Sequence, residues 1–394
     1  MRLLFVCYGG GHARLVRPVI DYILGNYDCV IDCLALTGAR RELEGIYSDR
    51  FNVLGYKDFF FGDEVGVYGN RLMQDLLSVI DEEETVAYLG QNYLELLDAC
   101  GADEAARVYK QGGRQIFLPI NSLKTIINQI GPDKVVTTNS PRSEKAALIA
   151  ARELGVESIA IIDMFSVRCE SWLKNYADTV CVFDQGVKDA LVGAGRAAEV
   201  VVTGNPAFDS LVSECRKNRD VLIASKKALP FTVLWASQRE PKYAADLEME
   251  GSPELPLAVE KELIEIFKEN SDWRLVVRNH PNEEPRVYPS YIEVSTQDEQ
   301  LDVLLSRVHV VVTLTSTVGF QGRIFGCELV TIDGSVFSHT VPYSKIGYSI
   351  GLGSPAELAE CLSAVEERIR QTPVLESPYA IDDAVVRVAE QILK

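Results

Sequence analysis

Leu3-Leu4-Phe5-Val6-Cys7-Tyr8, the loop Gly9-Gly10-Gly11-His12, the stretch Arg14–Leu24 and the run Cys29–Leu36 decide the fold class. The first run is apolar at every position but its last, as a strand buried on both faces must be. Three glycines end it. Arg14–Leu24 then has apolar residues at helical spacing, and Cys29–Leu36 is again strand-like. Strand, glycine loop, helix and strand in that order predict a right-handed βαβ unit of a parallel sheet.

The alternation continues outward from this unit. Lys134–Asn139, Ser158–Asp163, Thr179–Asp184 and Glu199–Thr203 read as strands, with helices at Ser143–Leu154 and Gln185–Ala194. Before them lies a helical region, with Glu82–Tyr109 as one long amphipathic stretch. A second series runs through strands Phe231–Ala236, Trp273–Arg278, Tyr291–Val294, Val308–Leu314 and Glu328–Ile332, with helices Leu257–Asn270, Asp298–Ser306, Val318–Phe325, Pro355–Arg370 and Ile381–Leu393. The pattern predicts an α/β protein of two Rossmann-like doubly wound domains facing across a cleft. The expected division is an N-terminal domain over 1–206, a linker helix over 207–230, a second domain over 231–376, and a C-terminal helix over 377–394 that returns to the first domain.

Bulk properties narrow the function classes. At 394 residues, with 47% hydrophobic and 24% charged residues, the chain has the make-up of a globular protein of two domains. No apolar run reaches the roughly 18 residues of a membrane span. Met1–Tyr8 is too short for a signal peptide and lacks a cleavage site, so it reads as a first strand. Nine cysteines without CxxC pairs point to free thiols in a reducing cytoplasm and to no zinc site. A net charge of −18 argues against nucleic acid, which demands a basic surface.

In open parallel sheets ligands sit beyond the carboxyl ends of the strands, so polar residues just after strands are the candidates. In the first domain Gly10 and Gly11 let the backbone approach a ligand, and His12 is placed for acid/base work or for orienting an acceptor. Ser140, Arg142 and Glu144 follow another strand and suit sugar hydroxyls or a carboxylate; Ser140 with Pro141 also reads as a simple helix cap. Asp163 ends a strand, where a base or a nucleophile belongs. Gly204-Asn205-Pro206 reads as a rigid turn. In the second domain Gln238 and Arg239 follow the first strand and Arg278, His280 and Pro281 the second. The Thr315-Ser316-Thr317-Val318-Gly319 segment opens a helix with hydroxyls and free amides, a natural phosphate site. P-loop and HExxH patterns are lacking, and no cofactor or metal is called for.

The glycine loop with His12, Gly204-Asn205-Pro206, Arg278-Asn279-His280-Pro281 and Thr315–Phe320 stand in the order that resembles GT-B glycosyltransferases. The Ser/Thr stretch, followed by the Phe-containing loop Asp333–His339, is similar to bacterial capsule Kdo transferases, which use a CMP-activated sugar. That resemblance implies a cytoplasmic glycosyltransferase of surface-polysaccharide synthesis, favouring a CMP-ulosonic acid donor over a UDP-sugar. Its acceptor would be a glycan or a lipid-linked sugar, with peripheral association at the inner face of the cytoplasmic membrane left open. His280, Ser316 and Thr317 would grip the donor, Asp163 would act as base or nucleophile, and His339 would join the sugar or acceptor side. UDP-sugar enzymes of this fold commonly carry an acid where this chain has Gln321 and Gly322. The alternatives are a non-hydrolysing UDP-N-acetylglucosamine 2-epimerase, which shares the fold and needs no acceptor, and a non-catalytic nucleotide-sugar-binding protein.

Overall fold

Residues Leu3, Phe5 and Cys7 pack into one core cluster and Leu4 and Val6 into another, so the first strand is buried on both faces, as its unbroken apolar run requires. A computed structural model describes residues 1–74, 81–163, 176–193, 199–244, 249–281, 283–284, 286–377, 379 and 381–394. The chain forms two units: Met1–Ala207 with Asp383–Lys394, and Phe208–Asp382.

In unit 1, β1 (Arg2–Tyr8), β2 (Val30–Leu36), β3 (Phe51–Leu54), β4 (Lys134–Thr137), β5 (Glu157–Ile161), β6 (Thr179–Val182) and β7 (Glu199–Val202) form a parallel sheet in the order β3-β2-β1-β4-β5-β6-β7. Helices α1 (Gly10–Asn26), α2 (Ala39–Glu42), α3 (Asp63–Met73), α4 (Glu82–Cys100), α5 (Ala102–Gly112), α6 (Ile120–Ile130), α7 (Ser143–Leu154) and α8 (Gln185–Gly193) connect them. The expected single helix from Glu82 to Tyr109 is two. Gly101 sits at φ +80°, outside the helical region, and turns the chain between α4 and α5. Ala194, expected to end α8, lies outside the described residues.

In unit 2, α9 (Asp209–Lys217) and α10 (Arg219–Ala228) replace the expected single linker helix. Strands β8 (Thr232–Ala236), β11 (Arg274–Arg278), β12 (Glu293–Val294), β13 (Val310–Thr313), β14 (Glu328–Ile332) and β15 (Ile350–Leu352) form a parallel sheet in the order β12-β11-β8-β13-β14-β15. A small antiparallel pair, β9 (Tyr243–Ala244) and β10 (Met249–Glu250), lies apart from it. One face of the large sheet is covered by α11 (Leu255–Glu269) and α14 (Leu358–Gln371): Val233, Trp235, Val310 and Val312 share a core with Val259, Leu263, Leu362 and Val365. Two shorter helices, α12 (Leu301–Ser306) and α13 (Thr317–Ile324), flank β13.

The last helix, α15 (Ala384–Leu393), belongs to unit 1, where Val388, Ala389 and Ile392 enter the core built around Val16, Val19 and Ile23 of α1. Among the described residues no helix is long and apolar enough to cross a membrane.

Candidate functional sites

The order of the unit 1 sheet reverses between β1 and β4, so the loops that follow these two strands flank a crevice where ligands bind in open α/β sheets. Both loops are built from candidate residues. Gly9 sits at φ +92°, a conformation glycine adopts without strain, and it precedes α1 with no side-chain cap. A side chain at Gly11 would meet nothing within 4 Å, so the turn has room for a group to approach its backbone.

Glu144, in the first turn of α7, is fully buried. Its Oε1 accepts a hydrogen bond from the Tyr8 amide at 2.7 Å and lies 3.0 Å from His12 Nδ1, while Oε2 accepts from the Ser140 amide. One carboxylate thereby ties the two loops together. Burial disfavours charge on His12. Attraction to Glu144, the hydrogen bond to it and the charge of Asp163 outweigh that cost, with Arg142 opposing, and the imidazole is pushed up to about 9. His12 is therefore a cation at neutral pH, its side chain 22% exposed.

The Arg142 guanidinium lies 4.3 Å from the Tyr8 ring centroid, a cation–π arrangement. Its Nε, and the hydroxyls of Thr138 and Ser140, are buried without a protein partner. Buried polar atoms almost always have a partner, so three such groups in one loop mark a place for water or ligand. Asp163 Oδ1 accepts from Asn139 Nδ2 at 2.9 Å, and its backbone carbonyl accepts from Asn205 Nδ2. Asn205 also accepts from the Ala207 amide at 2.9 Å, so the segment read as a turn is one that also fixes Asp163. Met164 and Phe165, which follow Asp163, lie outside the described residues.

In unit 2 the order reverses between β8 and β13. Gln238, after β8, spans to the loop after β13: its Nε2 donates to Thr315 Oγ1 at 3.0 Å and its Oε1 accepts from the Thr315 amide at 2.7 Å. Ser316 caps α13, its hydroxyl accepting from the Val318 amide, and Thr317 is exposed at the helix start. Arg239, Pro281 and His339 are exposed; His280 is half-buried.

Two expected members stand elsewhere. Arg278 points its Nη1 at Ser295 Oγ, Thr296 O and Glu299 O, joining the loop after β12 rather than that of Ser316. Gly319 is turned to the sheet: a Cβ there would stand 2.7 Å from Leu329 and 2.9 Å from Thr313, and its amide donates to Ser316 O. It lets α13 pack closely on β13 and β14.

Three connecting residues were missed in the sequence. Glu283 accepts from the Ser237 hydroxyl at 3.0 Å and from the His280 amide at 2.7 Å, joining the loops after β8 and β11. Arg286 Nη2 reaches Ser237 Oγ, Asn279 Oδ1 and Glu283 Oε1. Glu240 holds the loop after β14, accepting from Ser335 Oγ and the Val336 amide, each at 2.7 Å. The only signal in the sequence was their position beside strand ends. Among the described residues no group of three His, Cys, Asp or Glu converges as metal ligands do.

No protein-family model and no curated protein matches the chain. Solved structures do. UDP-GlcNAc 2-epimerase from Neisseria meningitidis, bound to UDP-GlcNAc, is 15% identical with a TM-score of 0.62, and the match covers 100% of both chains. UDP-GlcNAc 2-epimerase from Methanocaldococcus jannaschii, in complex with UDP-GlcNAc and UDP, is 14% identical with a TM-score of 0.61, covering 100% of this chain and 99% of that one. MurG from Acinetobacter baumannii is 14% identical with a TM-score of 0.55, with the same coverage. The likenesses to UDP-GlcNAc 2-epimerases overturn the expected CMP-dependent Kdo transferase and favour the reading held as the alternative. What this chain shares with them at such identity is the GT-B-like fold of two α/β units, each built on a parallel sheet.

Proposed function

We propose that this protein is an enzyme of nucleotide-sugar metabolism that binds a UDP-sugar and inverts carbon 2 of the sugar, as a UDP-N-acetylglucosamine 2-epimerase does. The observation that carries the reading is the end-to-end likeness to epimerases bound to UDP-GlcNAc, joined to proton-handling groups at the switch point of unit 1. Epimerisation breaks a C–H bond and remakes it on the opposite face of the carbon. It therefore needs groups that take and return a proton, and no acceptor.

His12 and Asp163 fit that work. His12 carries a proton at neutral pH, and Asp163 is oriented by Asn139 and Asn205. Glu144 acts through them, since its oxygens already receive Tyr8, Ser140 and His12. Arg142, Thr138 and Ser140 supply unpartnered donors for sugar hydroxyls or a phosphate oxygen. In unit 2 the capped start of α13, with Ser316, Thr317 and Gln238, suits the diphosphate. Gln321 offers an amide for ribose in place of a carboxylate.

The test is incubation with UDP-GlcNAc alone in deuterated water, followed by proton NMR. The proposal expects signals of the C2 epimer and deuterium at carbon 2 of both sugars. Binding of UDP-GlcNAc with neither conversion nor deuterium uptake would sink it and favour a MurG-like transferase, for which an acceptor must then be sought.

A further inference from the structure

At the end of unit 2 where β8 and β13 begin, a buried amine and a buried thiol lie in contact. Lys226, near the end of α10, is 1% exposed, and its Nζ stands 3.1 Å from Phe325 O and 3.2 Å from Cys327 Sγ. Cys327 is fully buried and its sulfur also approaches Val308 O at 3.3 Å. Long charged side chains are seldom buried unless a countercharge meets them. Here the nitrogen is met by a carbonyl and a sulfur, and among the described residues no carboxylate pairs with it. The backbone holds the contact: Lys226 O bonds His309 Nε2 at 2.9 Å, and Gly326, at φ +70°, sets the turn that presents Cys327. Lys226 also lines a cavity of about 290 Å³ with Phe231, His309, Ile369 and Pro373, a route for a small apolar oxidant.

We propose that Lys226 and Cys327 are a modification site, joined by dioxygen into a reversible N–O–S cross-link. Reacting in its unprotonated form, the amine combines with the thiol and O2 to give Lys–NH–O–S–Cys and one water. The N–H, S–H and O–O bonds break, and N–O and O–S bonds form. Nitrogen and sulfur each give up two electrons, and the four reduce O2 to the bridging oxygen and the oxygen of water. The prefixed contact supplies the proximity that such a reaction needs. The cross-link staples α10 to the start of β14 and closes a long loop of chain, which restricts the unfolded state. It is independent of the proposed epimerase activity.

The experiment compares the intact mass of the full chain, without reductant, after air exposure and after dithiothreitol. The expected result is a species heavier by one oxygen less two hydrogens, reversed by dithiothreitol, with a proteolytic fragment joining Lys226 to Cys327. Lys226→Arg and Cys327→Ser should each abolish it, and the urea midpoint of the wild type should fall on reduction. A gain of whole oxygen atoms on Cys327 alone, the ordinary oxidation of a thiol, overturns the proposal. So does an unmodified chain after prolonged air exposure. Both readings come from the wild type, so a variant that fails to fold does not blunt the test.

Discussion

Glu144 Oε1 lies 3.0 Å from His12 Nδ1, and the carboxylate that makes this contact is fully buried while the imidazole is reached by solvent. The pair gives unit 1 a charge-dependent stability. His12 has a folded-state value of about 9 against an ordinary 6.5, so folding favours its protonated form. The resulting stabilisation is fully present below pH 6.5 and is lost as pH rises through about 9. Urea unfolding between pH 6 and pH 10, compared with His12→Gln, should show the wild type losing its advantage across that window. A difference that stays flat with pH would mean that the two groups are not coupled. Glu144→Ala should cost about 3–5 kcal/mol, because it leaves a half-buried cation and two loop amides without their acceptor.

His309 titrates in the opposite sense. Its Nδ1 accepts from the Thr232 amide at 3.1 Å and its Nε2 faces Lys226 O at 2.9 Å, so the folded protein fixes the neutral ring with the proton on Nε2. Burial lowers its affinity for a proton, the contact with Lys226 O raises it in part, and the Lys226 charge lowers it again. Its contribution to stability is present above pH 6.5 and is lost as pH falls through the depressed value. Nitrogen-detected NMR of the imidazole should show the Nε2–H tautomer persisting below pH 6.5. Titration at the ordinary value would contradict the geometry.

Two glycines separate a loop kept open from a packing contact. Gly319→Ala drives a Cβ against Leu329 and Thr313 and should destabilise the protein by about 1–3 kcal/mol in urea unfolding. Gly11→Ala meets nothing, and alanine is the better helix former, so its stability should be unchanged or rise by up to about 1 kcal/mol. Binding of UDP-GlcNAc should nevertheless weaken in Gly11→Ala if a ligand approaches that turn. Unchanged binding in a stable variant would take the glycine loop out of the site.

The contrast between these glycines shows what the sequence could and could not disclose. Strands buried on both faces, such as Leu3–Tyr8, leave an unmistakable apolar run, and the intervening helices then force parallel connections. The break at Gly101 was not visible, because a glycine within a helical pattern can be tolerated there as readily as it can end the helix. At the sites, position after a strand picked out His12, Glu144, Gln238 and Ser316. It did not reveal what holds them: Ser237 meets Glu283 across 46 positions and Tyr8 meets Glu144 across 136. The donor was misread for a physical reason. Hydroxyls at Thr315–Thr317 satisfy a helix start in any strand–helix crossover, so they carry little information about which nucleotide sits there.

Gln238 offers the sharpest test of that helix start. Its amide bonds Thr315 at both ends, bringing the loop after β8 onto the loop that opens α13. Gln238→Ala removes both bonds and loosens the loop, and should weaken UDP binding by about tenfold, the equivalent of about 1.4 kcal/mol. Gln238→Glu keeps an acceptor for the Thr315 amide but sets a negative charge beside the start of α13. If a diphosphate is held there, like-charge repulsion adds to the lost donor, and Gln238→Glu should bind UDP more weakly than Gln238→Ala. That excess should shrink as salt is raised, because screening acts on the repulsion and not on the missing hydrogen bond. Uridine, which carries no phosphate, should not distinguish the two variants. Calorimetric titration of both ligands into both variants decides the matter: equal UDP affinities would show that no anion binds beside Gln238.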